Sequence, residues 1–410
     1  MKRILYLLKK AKNAYLSGVL KEKLIRYLLN SYKRYLEIPV KYLFLEVDEK
    51  RLNLRDGHLD HRGSDEVLLP SQDNISRIIE AYQKAKEEQQ SCSEAFEVKG
   101  LWAEWITINY GSVIKALSEK NIVFLSSIYQ NLFREQCGIG TGGYDEYIRY
   151  KSLFGGLYTK YVWSNYKKLL EDIDFDLNNL DFPMAGNPCG VLFNNKVIPI
   201  ESLRHTYRAH EINLILKDIE NPTIAEIGGG LGGLAFQVIY QRPQKDVKFL
   251  LFDIPEVLAL SSFFLMTALP EKKFRLFGED KISANGNEDF DIGIFPHFSI
   301  GELEDSSIDL FYNSCSFSEM DGKSAKENLK IIERTCRRYF MHDNHDTEFK
   351  FIYPDKTSSL NIIGSKLVPN SQLFRRLYKK KRTHGLPEDD SFIHFEYLYE
   401  KKYSKNIQES

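Results

Sequence analysis

Residues 223–236 read Thr-Ile-Ala-Glu-Ile-Gly-Gly-Gly-Leu-Gly-Gly-Leu-Ala-Phe: an apolar run, an acid, a cluster of glycines and a second apolar run. That order predicts a buried strand, a sharp turn and the start of a helix, because glycine lets the backbone turn tightly and approach a ligand with no Cβ in the way. The crevice beyond such a strand end is where open α/β sheets bind ligands. Two cofactor chemistries compete for the turn. Gly228, Gly230 and Gly233 satisfy the GxGxxG of dinucleotide sites. Glu226, Gly228, Gly230 and Gly232 satisfy the acid-x-Gly-x-Gly-x-Gly spacing associated with S-adenosylmethionine (SAM). Glu226 favours the second, since a buried carboxylate needs a partner. The amino group of SAM is cationic, whereas a pyrophosphate would be repelled. Asp253, followed by Ile254, ends the run Val247-Lys-Phe-Leu-Leu-Phe, where a carboxylate can accept hydrogen bonds from both ribose hydroxyls. NAD sites use an acid in the same way, so Asp253 does not separate the two.

Groups for acceptor chemistry should follow the later strands. A reaction at this crevice would gain from close alignment of the reacting atoms and, where the acceptor is a weak acid, from a nearby general base. Ser314-Cys-Ser-Phe-Ser-Glu319-Met follows an apolar strand, with Ser314 placed for the cofactor and Glu319 as a base or as a helix-terminal acid. His342-Asp-Asn-His345-Asp follows the next strand, so His342 and His345 are further base candidates. That cluster could instead hold a divalent ion or be a plain polar loop, and no metal is assigned to it. Arg204 and Tyr207, one helical turn apart, precede the glycine strand; Arg204 is suited to a cofactor carboxylate. His205 and His210 read as ordinary helix residues.

The elements needed to position these groups are legible. From residue 223 onward, apolar strand-like runs alternate with helical patterns, which predicts a parallel sheet with helices on both faces. Strands are expected at 223–227, 247–252, 274–277, 308–312 and 338–341, and two more at 373–378 and 392–399 suit a closing antiparallel hairpin. Residues 51–180 read as mostly helical, with Gly138 to Gly143 as a flexible connection. Net charge is −1 over 410 residues, which argues against a nucleic-acid binder working through overall charge. Residues 1–36 hold ten basic residues against one acid, on an amphipathic helical pattern. Such a segment could lie on an anionic membrane or dock on the protein with its lysines in water. Arg375-Arg376 and Lys379–Arg382 form a second basic run, read by default as a solvated face. Five scattered cysteines without CxxC spacing predict free thiols in a reducing compartment. With no apolar run of membrane-spanning length and no signal peptide pattern, a cytoplasmic location is expected, with peripheral contact at the inner membrane face as an option.

Glu226-Ile-Gly-Gly-Gly-Leu-Gly-Gly-Leu-Ala, followed by Phe252-Asp-Ile-Pro-Glu-Val-Leu, resembles the sugar O-methyltransferase family of bacterial surface-glycan clusters. Asp309–Met320, Gly186-Asn-Pro and Arg204-His-Thr-Tyr-Arg-Ala are similar to it too, over roughly residues 182–399. Leu231 stands where an aromatic residue is expected. The resemblance implies a Rossmann-like class I methyltransferase domain over 181–410, preceded by a basic segment at 1–50 and a helical cap or oligomerisation region at 51–180. It implies SAM as cofactor and a sugar hydroxyl of a nucleotide sugar or surface glycan as acceptor. The alternatives are an NAD(P)-dependent oxidoreductase and a non-catalytic scaffold in a glycan-assembly complex.

Overall fold

The computed structural model describes residues 52–402 apart from 100, 142, 153–154, 243–246, 283–288, 349, 353–357 and 382–393. The basic helix read over 1–36 lies outside the described residues. The first half supplies helices α1 (Leu54–Gly57), α2 (Gln72–Glu88), α3 (Leu101–Asn109), α4 (Gly111–Ser118), α5 (Ile122–Tyr129), α6 (Tyr144–Tyr150) and α7 (Gly155–Asp172). Strand β1 (Leu52–Asn53) pairs with a hairpin of β2 (Val191–Phe193) and β3 (Lys196–Ile198). Helix α8 (Ile200–Ile215) then leads into the main sheet.

That sheet contains β4 (Thr223–Ile227), β5 (Lys248–Asp253), β6 (Phe274–Leu276), β7 (Ile292–Pro296), β8 (Ile308–Ser314), β9 (Cys336–His345), β12 (Phe374–Lys381) and β13 (His394–Lys401). A small hairpin of β10 (Lys350–Ile352) and β11 (Ser358–Leu360) stands apart. Helices α9 (Gly233–Tyr240), α10 (Pro255–Ala268), α11 (Ser316–Glu319) and α12 (Gly322–Thr335) connect the strands. The order across the sheet is β12-β13-β9-β8-β4-β5-β7-β6. β9, β8, β4, β5, β7 and β6 run parallel, and β13 runs antiparallel to both β9 and β12. Every residue of β4 is buried, as helices on both faces of a parallel sheet require. The chain leaves β4 toward β5 and β7 on one side, then returns to β8 and β9 on the other. The carboxyl ends of β4, β5 and β8 therefore surround the switch point, where a crevice opens.

Within the main sheet, two strands depart most from the sequence reading. β7 is a full parallel member of the sheet that the pattern did not show. Its run is interrupted by Gly293, where a Cβ would meet the Phe295 ring at 2.4 Å. β9 continues to His345, four residues beyond the expected end, because β13 pairs with it from Tyr339 to His345.

The helical half is fused to the sheet half by one apolar cluster. Ile75, Ile78, Ile79 and Tyr82 lie at helical spacing on the buried face of α2 and share that cluster with Phe263 and Phe264 of α10. Tyr129 stacks on Phe263 with ring centroids 4.6 Å apart. All five cysteines carry free thiols. Among the described residues, no helix is long and apolar enough to cross a membrane.

Candidate active site

The glycine turn is built as its composition demands. Gly228, Gly230 and Gly232 have φ of 76°, 55° and 82°, a region open to glycine at little cost. A Cβ on Gly228 would lie 2.4 Å from Ser316 Oγ. The Gly228 amide donates to the Phe252 carbonyl at 2.7 Å, and that of Gly230 to Asp253 Oδ2 at 3.0 Å. Gly232 is the pivot into α9: its amide closes the turn on the Gly229 carbonyl, and a Cβ there would strike Leu265. It shapes the backbone and is not on the cavity wall.

The far side of the turn is clamped to the end of β8. Asn313 Nδ2 donates to the Ile227 carbonyl at 2.8 Å, and Ser316 Oγ to the same oxygen at 3.2 Å. Cys315, between the serines, adopts φ of 63°, and its amide donates to the Asp343 carbonyl. Ser314 Oγ donates to Asp343 Oδ1 at 2.8 Å and Tyr312 Oη to Asp343 Oδ2 at 2.7 Å. Buried Arg208 holds Asp343, Glu211 and Glu396 together behind them.

The glycine turn from Gly228 to Leu231 and residues Tyr312, Ser314, Cys315 and Ser316 line one cavity of about 330 Å³, a size suited to a small-molecule ligand. Glu226 points into it, 5% exposed, and its Oε2 is buried without a hydrogen-bond partner. Burial pushes its carboxyl up to about 8; Arg204 opposes this, while Asp253 and Asp343 add to it. Arg204, on the α8 face turned to the cavity, donates to Ser314 Oγ at 3.2 Å and pairs with Glu201, but its Nε is buried and unpartnered. An unsatisfied acceptor on an acid and an unsatisfied donor on an arginine therefore line the same cavity. A zwitterionic amino-acid head would satisfy both, with its ammonium at Glu226 and its carboxylate at Arg204. Asp253 ends β5 with Oδ2 on the Gly230 amide and Oδ1 on the Ile254 amide at 2.7 Å. Burial pushes it up to about 7, against the pull of those two amides. The backbone bonds fix the orientation of the carboxylate, and its remaining lone pairs can take vicinal ribose hydroxyls.

Three solved structures illustrate what the chain is similar to. An S-adenosylmethionine dependent methyltransferase from Mesorhizobium loti is 11% identical, with 48% of this chain and 97% of that one covered and a TM-score of 0.30. Magnesium protoporphyrin IX methyltransferase from Synechocystis PCC 6803 with bound SAH is 7% identical, covering 48% and 83%, with a TM-score of 0.32. The PH0226 protein from Pyrococcus horikoshii OT3 is 12% identical, covering 48% and 91%, with a TM-score of 0.32. No family model matches the chain, and no curated protein matches it in sequence. At such identities and scores, neither substrate nor residue roles carry over. The sheet itself is doubly wound and Rossmann-like, with one edge closed by an antiparallel hairpin.

Within this fold the expected residues divide. Glu226, Gly228, Gly230, Asp253, Ile254, Ser314, Arg204 and Glu319 all line the cavity. Tyr207 does not: its hydroxyl donates to Glu211 at 3.2 Å, and it is not on the cavity wall. His342 and His345 are also corrected. They belong to β9 itself, not to a loop after it. His342 is fully buried, stacked on Tyr397 at 4.8 Å and Phe340 at 5.1 Å, with Nε2 on the Leu367 carbonyl. Burial lowers it to about 4, so it is neutral. His345 is buried beside His394, and its Nδ1 accepts the Thr347 amide. Neither reaches the cavity.

Glu319 remains as the base candidate. Its Oε2 accepts Trp102 Nε1–H at 3.0 Å, from α3 in the helical half. Burial raises its carboxyl above the usual range, and the indole bond partly offsets this, giving a carboxylate more basic than one in water. The sequence reading missed Trp102, Gly140, Thr141 and His205, all of which line the cavity. A Cβ on Gly230 would meet Thr141 first, at 3.9 Å, and His205 Nδ1 stands 2.3 Å from where a Gly233 Cβ would be. The signal for the first three was the glycine-rich break at 138–143 and the Trp102–Trp105 pair, but nothing local tied either to the turn.

Proposed function

We propose that the chain is a SAM-dependent O-methyltransferase acting on a sugar hydroxyl, as a nucleotide sugar or within a surface glycan. The observation that carries the cofactor is the pair of unsatisfied atoms, Glu226 Oε2 and Arg204 Nε, in the pocket ahead of Asp253. A nicotinamide dinucleotide would set its pyrophosphate against Glu226 and leave the arginine nitrogen without the carboxylate it suits. Bound SAM supplies a methyl group on a sulfonium, ready for in-line attack by an acceptor oxygen. The chain's own part is orientation and proton handling. Glu226 and Arg204 hold the amino-acid end, and Asp253 holds the ribose. Glu319, fixed by Trp102, takes the proton that the acceptor hydroxyl loses. The sugar reading is supported by the family resemblance and by an indole wall next to carboxylate and amide groups.

Calorimetry with SAM, S-adenosylhomocysteine (SAH) and NAD tests the cofactor. SAM and SAH should bind and NAD should not. Tight NAD binding with none for SAH would overturn the reading. Transfer of radiolabelled methyl to glycan acceptors tests the reaction.

A further inference from the structure

Beyond the cofactor groups, the cavity wall is made by Ala95, residues 97–99 and Trp102 on one side and by Glu319, Asp321 and Asn328 around the start of α12 on the other. Asn328 is 3% exposed. Its Nδ2 donates to the Ser324 carbonyl at 2.9 Å, which fixes the amide's orientation. Its Oδ1 is buried with no partner. A buried acceptor without a donor costs stability unless a ligand supplies one. Asp321, by contrast, is spent inside the protein, accepting the Lys323 and Ser324 amides at the start of α12.

The charge of this arm is one-sided. Its wall carries the carboxylates of Glu97, Glu319 and Asp321, and Lys99 is its one cation among the described lining residues. The Lys99 ammonium already lies 3.2 Å from Glu94 and 3.1 Å from Glu97. Arg204 and Arg208 belong to the cofactor end and are paired with Glu201 and with Glu211 and Glu396. A diphosphate in this arm would find acids and no free cation, whereas hydroxyl groups would find acceptors.

Resting on the methyltransferase reading, we propose that this arm is the acceptor subsite. It takes an uncharged hydroxyl-bearing ring, a glycosyl unit without a diphosphate, and Asn328 Oδ1 anchors one hydroxyl while Trp102 walls the ring. Glu319 then faces the hydroxyl to be methylated.

The test uses the full chain saturated with SAH. The probes are methyl glycosides of common hexoses and 6-deoxyhexoses, the same sugars as nucleoside diphosphate esters, and an amino-sugar glycoside. Saturation-transfer NMR reads binding, and calorimetry reads SAH affinity in each variant. At least one neutral glycoside should bind in preference to its nucleotide ester and to the amino sugar. Asn328→Ala should weaken that glycoside roughly 3- to 10-fold, the worth of one neutral hydrogen bond, and leave SAH affinity unchanged, which also shows that the variant is folded. Methyl transfer should show the same loss in KM, with kcat preserved. Equal or tighter binding of nucleotide sugars, preference for the amine, no effect of Asn328→Ala, or no binding of any neutral glycoside would each overturn the proposal while the cofactor reading stands. Failure of the wild-type chain to bind SAH would instead remove that reading, and this one with it.

Discussion

Replacing Glu226 by glutamine keeps shape and hydrogen-bonding capacity but removes the charge, and two opposite effects should follow. In the ligand-free protein the carboxyl sits at about 8 against an ordinary 4.5, chiefly through burial. The folded state therefore binds this proton more tightly than the unfolded chain. Stability contributed by the group is complete below pH 4.5 and is lost as pH rises toward 8. At pH 7, with about 1.4 kcal/mol per pH unit, that loss is on the order of 3 kcal/mol. Glu226→Gln should remove it, so the ligand-free variant melts a few degrees higher than wild type at pH 7–8 and alike near pH 5. Binding runs the other way. An ammonium at Glu226 favours the ionised form, so SAH should release up to about one proton from this group and bind more tightly as pH rises from 6 to 8. The variant loses a charge-assisted hydrogen bond, about 1.5–3 kcal/mol, or roughly 10- to 100-fold in affinity. Melting curves across pH, and calorimetry in buffers of different ionisation enthalpy, read both effects. If the variant is no more stable at pH 8 and binds SAH as wild type does, the electrostatic account of this pocket is wrong.

Glu319→Gln should cut the transfer rate about 100-fold or more while SAH affinity holds, since a positioned base contributes on that scale; an unchanged rate would remove Glu319 from the chemistry. Gly228→Ala sets a Cβ 2.4 Å from Ser316 Oγ at φ of 76°. It should destabilise the fold by about 1–2 kcal/mol from backbone strain alone, lowering the melting temperature, and abolish SAH binding. His342→Phe should leave transfer intact, because the ring sits in an aromatic stack away from the cavity. With wild-type His342 lowered to about 4, its stabilisation is complete above pH 6.5 and fades as pH falls toward 4. The variant's melting temperature should fall less over that window, and an inactive but folded variant would restore His342 as a candidate.

What the sequence showed of this site is what chain-local physics determines. Strand, glycine turn, helix, second strand and terminal acid lie within residues 223–254, and each is set by its own few residues. Arg204 was legible because helical spacing alone placed it ahead of that strand. The failures come from pairing over distance. His342-Asp-Asn-His345 has a turn-like composition, yet β13, some fifty residues later, holds it extended, and strand alternation then sends His342 into the aromatic stack and Asp343 toward Arg208. Trp102, Thr141 and Asn328 reach the cavity from three separate elements. Their roles depend on how the helical half packs, which no short pattern encodes. The run at 138–143, expected to be a flexible connection, instead brings Gly140 and Thr141 to the pocket wall.

Helix α8, which carries Arg204 and Arg208, starts at Ile200, and its first amide is held at 2.8 Å by Glu146, a buried residue of α6. The arginine arm of the pocket thus hangs from the part of the chain that lacks the glycine motif. Severing the protein near residue 180 would not yield a smaller unit with the pocket intact. It would free the root of α8, strip Trp102 from Glu319 and leave the acceptor arm without its opposite bank. On the proposed reading, keeping the sheet while exchanging the helices would mean rebuilding both the grip on the amino-acid tail and the seat of the recipient at once.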